Sequence, residues 1–188
     1  MNYNVELAAK SDVLKTASAL ITQRVFEGRP LDDRVWVVST ALTIIGFVAY
    51  HIMIASWFRS ESHFSGSAKV AVDDAARFGT MFVVSQIMSG NSLSDPNWIR
   101  DSGLFIASIV LYDLLFHNVV SGKLGEIQLD SGVKGALGDA IKIASVFSIN
   151  NFAKGGEFDN TWMMSTGGFI TGLAIYNIVV EKYTKGKF

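Results

Sequence analysis

Residues 35–58 read VWVVSTALTIIGFVAYHIMIASWF and contain no Asp, Glu, Lys or Arg. A helix rises about 1.5 Å per residue, so a stretch of this length can cross a hydrocarbon layer of about 30 Å. Trp36 and Trp57 lie near its two ends, where indole rings favour the membrane interface. Residues 161–180 form a second uncharged stretch, and residues 103–120 form a third apolar stretch, which carries Asp113 and His117. These stretches predict an all-α membrane protein.

The composition of the 188 residues agrees with this class. Hydrophobic residues make up 49% of the chain and charged residues 18%, whereas about a quarter of the residues of a soluble domain are charged. The net charge of −1 provides no electrostatic basis for nucleic-acid binding. Because the chain has no cysteine, disulfides and thiolate metal sites are excluded. The length fits a single domain, residues 1–188.

A spaced set of residues recurs three times along the chain. Each set has an acid, a basic residue three positions later, a glycine, a second acid, a tryptophan, and a tyrosine 14 positions after the tryptophan. The sets are Asp12, Lys15, Gly28, Asp33, Trp36 and Tyr50; Asp74, Arg77, Gly90, Asp95, Trp98 and Tyr112; and Asp139, Lys142, Gly155, Asp159, Trp162 and Tyr176. Such self-similarity indicates a repeated supersecondary unit. We expect three tandem helical hairpins, about six helices, in pseudo-threefold repeats at residues 5–58, 68–120 and 133–181.

The first helix of each repeat, over residues 5–26, 68–88 and 133–152, is less apolar than the second and keeps charges near its middle. If these helices span, the protein has six spans and its repeats share one orientation. If they lie at the interface, three spans alternate in direction. The regular recurrence of the repeated residues favours six spans. Lys and Arg are more frequent in the termini and linkers than in the turns, which predicts both termini on the cytoplasmic or equivalent side. The sequence leaves open in which membrane the protein lies.

The repeated acid and base lie at positions i and i+3, on one face of a helix. The pairs are Asp12 with Lys15, Asp74 with Arg77, and Asp139 with Lys142. An unpaired charge is unfavourable inside a membrane, so paired charges facing the interior are expected. They would form either a ring along a substrate or proton path, or a local or inter-repeat network that fixes helix register. We favour the network.

The residue after each repeat tyrosine is polar: His51, Asp113 or Asn177. By repeat equivalence the three share one depth and would form a hydrogen-bonded cluster if they face the axis. His117 lies one helical turn beyond Asp113. Interhelical hydrogen bonding is the favoured interpretation, and a proton or ion relay is the alternative. No metal-ligand spacing, catalytic motif or cofactor motif occurs, so no metal, no cofactor and no enzymatic activity are predicted.

Further residues are expected to anchor or pack the helices. The four tryptophans would be interface anchors: Trp36, Trp57, Trp98 and Trp162. Gly168 and Gly172 form a small-xxx-small pair, and with Gly167 they would make a flat packing face. Phe47, Phe58 and Phe105 are expected to face lipid or a partner subunit.

Three repeats of two helices resemble the mitochondrial carriers in arrangement. The signature of that family, P-x-[DE]-x-x-[KR], is absent, because Ala9, Lys10 and Ser11 precede Asp12 with no proline. As a whole the chain is also similar to small multi-span membrane proteins of large DNA virus particles, a likeness that rests on no single motif.

The expected function is structural. Short loops and the lack of an extramembrane catalytic domain favour a scaffold or accessory subunit of a larger membrane assembly, in a respiratory or organelle complex or a virion membrane. Its partners would be other membrane subunits and lipid, in a homo- or hetero-oligomer. The alternative is a small transporter or channel with a polar axis around Asp113, His51 and the repeated ion pairs.

Overall fold

A computed structural model describes residues 4–56 and 64–185. Its regular structure is helical, and no strand occurs in these two ranges, so the all-α class is confirmed. The helices are α1 Val5–Phe26, α2 Arg34–Met53, α3 Gly66–Met88, α4 Pro96–Leu115, α5 His117–Glu126, α6 Ser131–Ala153 and α7 Asn160–Ile175, followed by a π-helical turn Tyr176–Val180 and α8 Glu181–Lys185. Trp57 and Phe58 lie outside the described residues.

Repeated residues set the helix boundaries. An aspartate caps the start of α2, α4 and α7 by accepting a backbone N–H of the first turn, and these are Asp33, Asp95 and Asp159. Such caps satisfy N–H groups that have no partner within the helix. The turns after α1, α3 and α6 each contain a glycine with positive φ, at Gly28, Gly90 and Gly155. The left-handed conformation suits glycine because it has no Cβ.

Six helices pack in a closed ring. Neighbours in the ring are α1 and α2, α2 and α3, α3 and α4, α4 and α6, α6 and α7, and finally α7 and α1. Glycines allow close approach: a Cβ at Gly46 would lie 2.6 Å from Met81 Cα, and a Cβ at Gly168 would lie 2.8 Å from Gln23 Cα. A Cβ at Gly167 would meet no atom within 4 Å. Gly168 therefore packs on α1, as Gly172 does, while Gly167 faces open space instead of sharing their packing face.

In the part of the chain that the structure describes, two helical segments are long and apolar enough to cross a membrane, Arg34–Met53 and Asn160–Tyr183. A third candidate is the pair α4 and α5, which is bent by 52°. The apolar stretch at residues 103–120 therefore does not form one straight helix. His117 begins α5 beyond the bend, so it is not placed one turn above Asp113 on a continuous helix face.

The phenylalanines of the ring do not all face outward. Phe47 is 5% exposed, and its ring packs edge-on against Phe78 at 5.4 Å. Phe105 is half-buried and packs against the same Phe78 ring at 5.5 Å. The expectation that Phe47 and Phe105 face lipid or a partner subunit is wrong, because both rings pack against Phe78 inside the bundle.

Candidate functional site

Charged side chains of α1, α3 and α6 pair around the inside of the ring. Arg77 on α3 contacts Asp12 on α1, and Lys142 on α6 contacts Asp74 on α3. Lys15 on α1 closes the cycle, with its Nζ 2.6 Å from Asp139 Oδ2 on α6. We call these six residues the ion-pair ring. Each base has its close contact with an acid of another helix, and the pair within one helix, Arg77 with Asp74, is 3.8 Å apart.

The three residues that follow the repeat tyrosines join the ion-pair ring. His51 Nε2 lies 2.7 Å from Asp12 Oδ2, and Asn177 Nδ2 donates to Asp139 Oδ2 at 2.7 Å. Asp113 Oδ1 accepts from Lys142 Nζ at 2.6 Å. All three side chains are buried, and Asp113 is 0% exposed. The structure thus brings the repeated ion pairs and these three polar residues into one site.

The tyrosines contact the same region from the second helices. Tyr50 donates to Asp73 Oδ1 at 2.5 Å, and the hydroxyl groups of Tyr176 and Ser11 are 2.6 Å apart. Asp73 and Ser11 each immediately precede an acid of the ion-pair ring. At the corresponding position on α6 the chain has Gly138, which offers no side-chain partner to Tyr112.

Three buried side-chain atoms in the described ranges lack a hydrogen-bond partner: Asp113 Oδ2, Arg77 Nε and Asn150 Oδ1. The ammonium group of Lys142 contacts both Asp113 and Asp74, so these two carboxyl groups lie next to the same cation. Buried polar atoms are usually paired, so each exception requires an explanation. We call the ion-pair ring together with His51, Asp113 and Asn177 the polar site. Asp113 Oδ2 and Arg77 Nε both belong to it, which makes it the most unusual part of the described structure.

A cavity of about 460 Å³ extends from the ion-pair ring toward the turns that precede α4 and α7. Charged residues line its inner end: Lys15, Asp74, Arg77, Asp139 and Lys142. Trp98, Asp101 and Lys154 line its other end, where Lys154 Nζ is 3.8 Å from Asp101 Oδ1. The cavity therefore has a charged floor at one end and an amphipathic lining at the other.

Six phenylalanine rings line the cavity between its two ends. The phenylalanines that line it are Phe47, Phe78, Phe82, Phe105, Phe147 and Phe169. Phe105 has its ring centroid 5.6 Å from that of Phe82 and 6.0 Å from that of Phe147. Edge-to-face and tilted arrangements at these distances are favourable for aromatic pairs. The wall is therefore apolar and continuous across several helices.

The first repeat contributes smaller side chains to the same wall. Thr16 lies four positions after its repeat acid, where the other repeats have Phe78 and Ile143. Thr43 lies seven positions before its repeat tyrosine, where the others have Phe105 and Phe169. These lining residues were not recognised from the sequence, although aligning the three repeats places them at equivalent positions.

The half-buried tryptophans Trp36, Trp98 and Trp162 all lie in the first turn of a helix. Next to the first of them, Arg24 has its guanidinium 5.5 Å from the Trp36 ring and donates to Asp33 Oδ2 at 2.7 Å. The backbone N–H groups of Trp36 and Val35, together with Arg24, hold the pKa of Asp33 below its ordinary value. Asp33 is therefore ionised at neutral pH and caps α2 as a carboxylate.

The chain matches no protein-family model, no curated protein and no solved structure. Within the described residues, no group of three or more His, Asp or Glu side chains is arranged to hold a metal ion.

Proposed function

We propose that the protein is a membrane-embedded carrier that binds a small solute in the central cavity. The observation that carries this proposal is the cavity of about 460 Å³, which lies inside a closed ring of helices and ends on a floor of ion pairs. Its volume lies within the range of about 300–1,000 Å³ typical of small-molecule sites.

In this proposal all six ring helices span the membrane as three hairpins in one orientation. The apolar α2 and α7 support it by length and composition. The outer faces support it too, because large apolar side chains such as Val35, Ile52 and Phe152 are exposed there. Lipid would cover these side chains, while the charged residues of α1, α3 and α6 pair in the interior. Buried charges in membranes are usually paired in this way.

Equivalent contacts support a pseudo-threefold arrangement of the hairpins. Each base of the ion-pair ring reaches the acid of the preceding repeat, so the three pairs follow one cyclic order. Gly46 and Gly172 lie at equivalent positions, and they approach the equivalent residues Met81 and Ala19 of the following repeat in the cycle. Such agreement is expected if the three units share one geometry.

The ion-pair ring would act as a closed gate. Its three close contacts join different helices, so a relative movement of the hairpins would separate them. A solute seated in the cavity would place its charged or zwitterionic end near Lys15, Arg77 or Lys142 and its apolar body against the phenylalanines. Contacts with the solute would replace the contacts within the ion-pair ring and so lower the free energy of the open state. This requires the solute to bind the open state more tightly, because only differential binding shifts a conformational equilibrium.

A structural subunit is the second candidate. Its support is the extent of the exposed apolar surface, which includes Met53 at 71% and Val119 at 63% exposure, since other subunits could cover this surface as well as lipid does. In that role the ion-pair ring would hold the helices in register and the cavity would stay closed to solutes.

The absence of cysteine allows a direct test. Thr16→Cys and Thr43→Cys would each place one thiol in the cavity wall, whereas Ala41→Cys would place one on the exposed face of α2. In reconstituted vesicles, a membrane-impermeant charged thiol reagent should modify both cavity thiols, from one side of the membrane only, and should not modify position 41. Protection by solutes from a panel of amino acids, carboxylates and nucleotides would then identify the ligand class, and flux of that solute would be measured.

Lack of modification at both cavity positions in a folded protein would contradict the carrier. Stable co-migration with other subunits in mild detergent, with no flux for any solute of the panel, would favour the structural role.

A further inference from the structure

We propose that Asp74 and Asp113 hold one proton between them, and that this carboxyl pair is the proton-binding site of the protein. Asp113 is fully buried on α4. Its side chain also accepts a hydrogen bond from the ammonium group of Lys142. The proposal concerns a ligand, the proton, that the cavity and its ion pairs do not by themselves require.

The three equivalent positions after the repeat tyrosines carry different side chains. His51 and Asn177 each carry an N–H group, and each lies 2.7 Å from the acid of its own repeat, Asp12 or Asp139. Asp113 occupies the same position in the middle repeat, and the Lys142 ammonium group contacts both Asp113 and the acid of that repeat, Asp74. An ionised carboxylate only accepts hydrogen bonds, whereas a protonated one can donate. Asp113 can therefore reproduce the contact made by His51 and Asn177 only when the pair carries a proton.

One carboxyl oxygen of Asp113 lacks a hydrogen-bond partner. Asp113 Oδ1 accepts from Lys142, but Asp113 Oδ2 is buried and has no hydrogen-bond donor. A buried acceptor without a donor is unfavourable. A proton on either carboxyl group would supply the missing donor, because a protonated carboxyl group can donate to the other. Neighbouring carboxylates in one site commonly retain a proton for this reason.

The charges around the carboxyl pair also favour a bound proton. The ammonium of Lys142 on α6 contacts both carboxyl groups. Arg77 on α3 is 3.8 Å from Asp74 and has its close contact with Asp12, and Asp139 on α6 adds a further negative charge, paired with Lys15. On its own helix Asp113 is preceded by Tyr112, whose ring is 5.7 Å from Lys142 Nζ. Two carboxyl groups thus share one close cation, and a single proton makes the three groups neutral.

The consequence for transport rests on the proposed function. If a solute passes the ion-pair ring, Lys142 must leave Asp74 and Asp113. The carboxyl pair then loses its cation, so its proton occupancy and the opening of the ring are linked. The carrier is therefore expected to be proton-coupled.

Infrared spectroscopy of the reconstituted full-length protein tests the proton site without any transport assay. At neutral pH the wild type should show the carbonyl band of a protonated carboxyl group, shifted in D₂O. Asp113→Asn supplies an N–H donor like that of Asn177, so it should fold and lose this band. Asn177→Asp places a carboxyl group beside Asp139 and should add a second band. Asp32→Asn, at an exposed position, should change nothing.

Absence of the band in the wild type, or its persistence in Asp113→Asn, would overturn the proton site. If Asp113→Asn does not fold, the wild-type band and the gain in Asn177→Asp decide the question. A band without solute flux would leave the proton site standing and remove the carrier, whereas flux that is independent of pH, without the band, would do the reverse.

Discussion

The contact between α7 and α1 can be tested by adding one methyl group at Gly172. A Cβ at this position would lie 2.6 Å from Ala19 Cα and 2.7 Å from the Ser18 carbonyl carbon. These are backbone atoms, so no side-chain rotation can relieve the overlap. Ordinary contacts of a Cβ begin at 3.4 Å, and Gly172→Ala would therefore push α7 away from α1 by about 0.8 Å.

The neighbouring Gly167 provides the matched control, because a Cβ there would meet no atom within 4 Å. Both substitutions gain the helix propensity of alanine over glycine, about 1 kcal/mol. Only Gly172→Ala also incurs the overlap, which costs about 1–3 kcal/mol. The difference in unfolding free energy between the two variants isolates the overlap. We expect Gly167→Ala to be stabilised and Gly172→Ala to lie about 1–3 kcal/mol below it.

The measurement is equilibrium unfolding in detergent micelles, followed by circular dichroism. The expected difference corresponds to about a tenfold change in the unfolding constant for each 1.4 kcal/mol. Equal stabilities for the two variants, within about 0.5 kcal/mol, would refute the close packing of α7 on α1 and with it the closed ring.

Three other sets of substitutions test the site. Lys15→Asp or Asp139→Lys alone should lower the unfolding free energy by about 1.5–3 kcal/mol, and the double variant should recover most of it; failure to recover would contradict their pairing. Gly138→Ser should stabilise the fold by about 0.5–1.5 kcal/mol by giving Tyr112 a hydroxyl partner, a gain that Tyr112→Phe should abolish. Thr43→Phe should fill part of the cavity. In this background the thiol reagent should no longer modify Thr16→Cys, while the free energy of unfolding should stay the same. Unchanged modification would show that Thr43 does not line the access route.

Much of the helical framework could be predicted from local sequence. The uncharged stretch around α2, the glycines after α1, α3 and α6, and caps such as Asp33 each act within a few residues. The structure has helix ends where these signals occur. The spacing of Asp74 and Arg77 also predicted a shared helix face, because helical periodicity alone brings positions i and i+3 together.

The bend between α4 and α5 and the inward rings of Phe47 and Phe105 were not predictable in the same way. An uncharged stretch indicates that a helix is apolar, but it does not indicate whether an aromatic side chain contacts lipid or another helix. The cavity likewise depends on which side chains from six helices meet, and small residues of one repeat, such as Thr43, leave space only because large residues of the others face them.

The sequence by itself determined that acids and bases recur at one helical spacing, and that His51, Asp113 and Asn177 follow the tyrosines. It left open which acid each base would contact. Closure of the ring decided this, because it places Arg77 next to Asp12 of another helix and leaves its own Asp74 to Lys142. Pairing within a helix follows from backbone geometry, whereas pairing between helices follows from how their faces pack. The polar site is therefore a product of the tertiary structure.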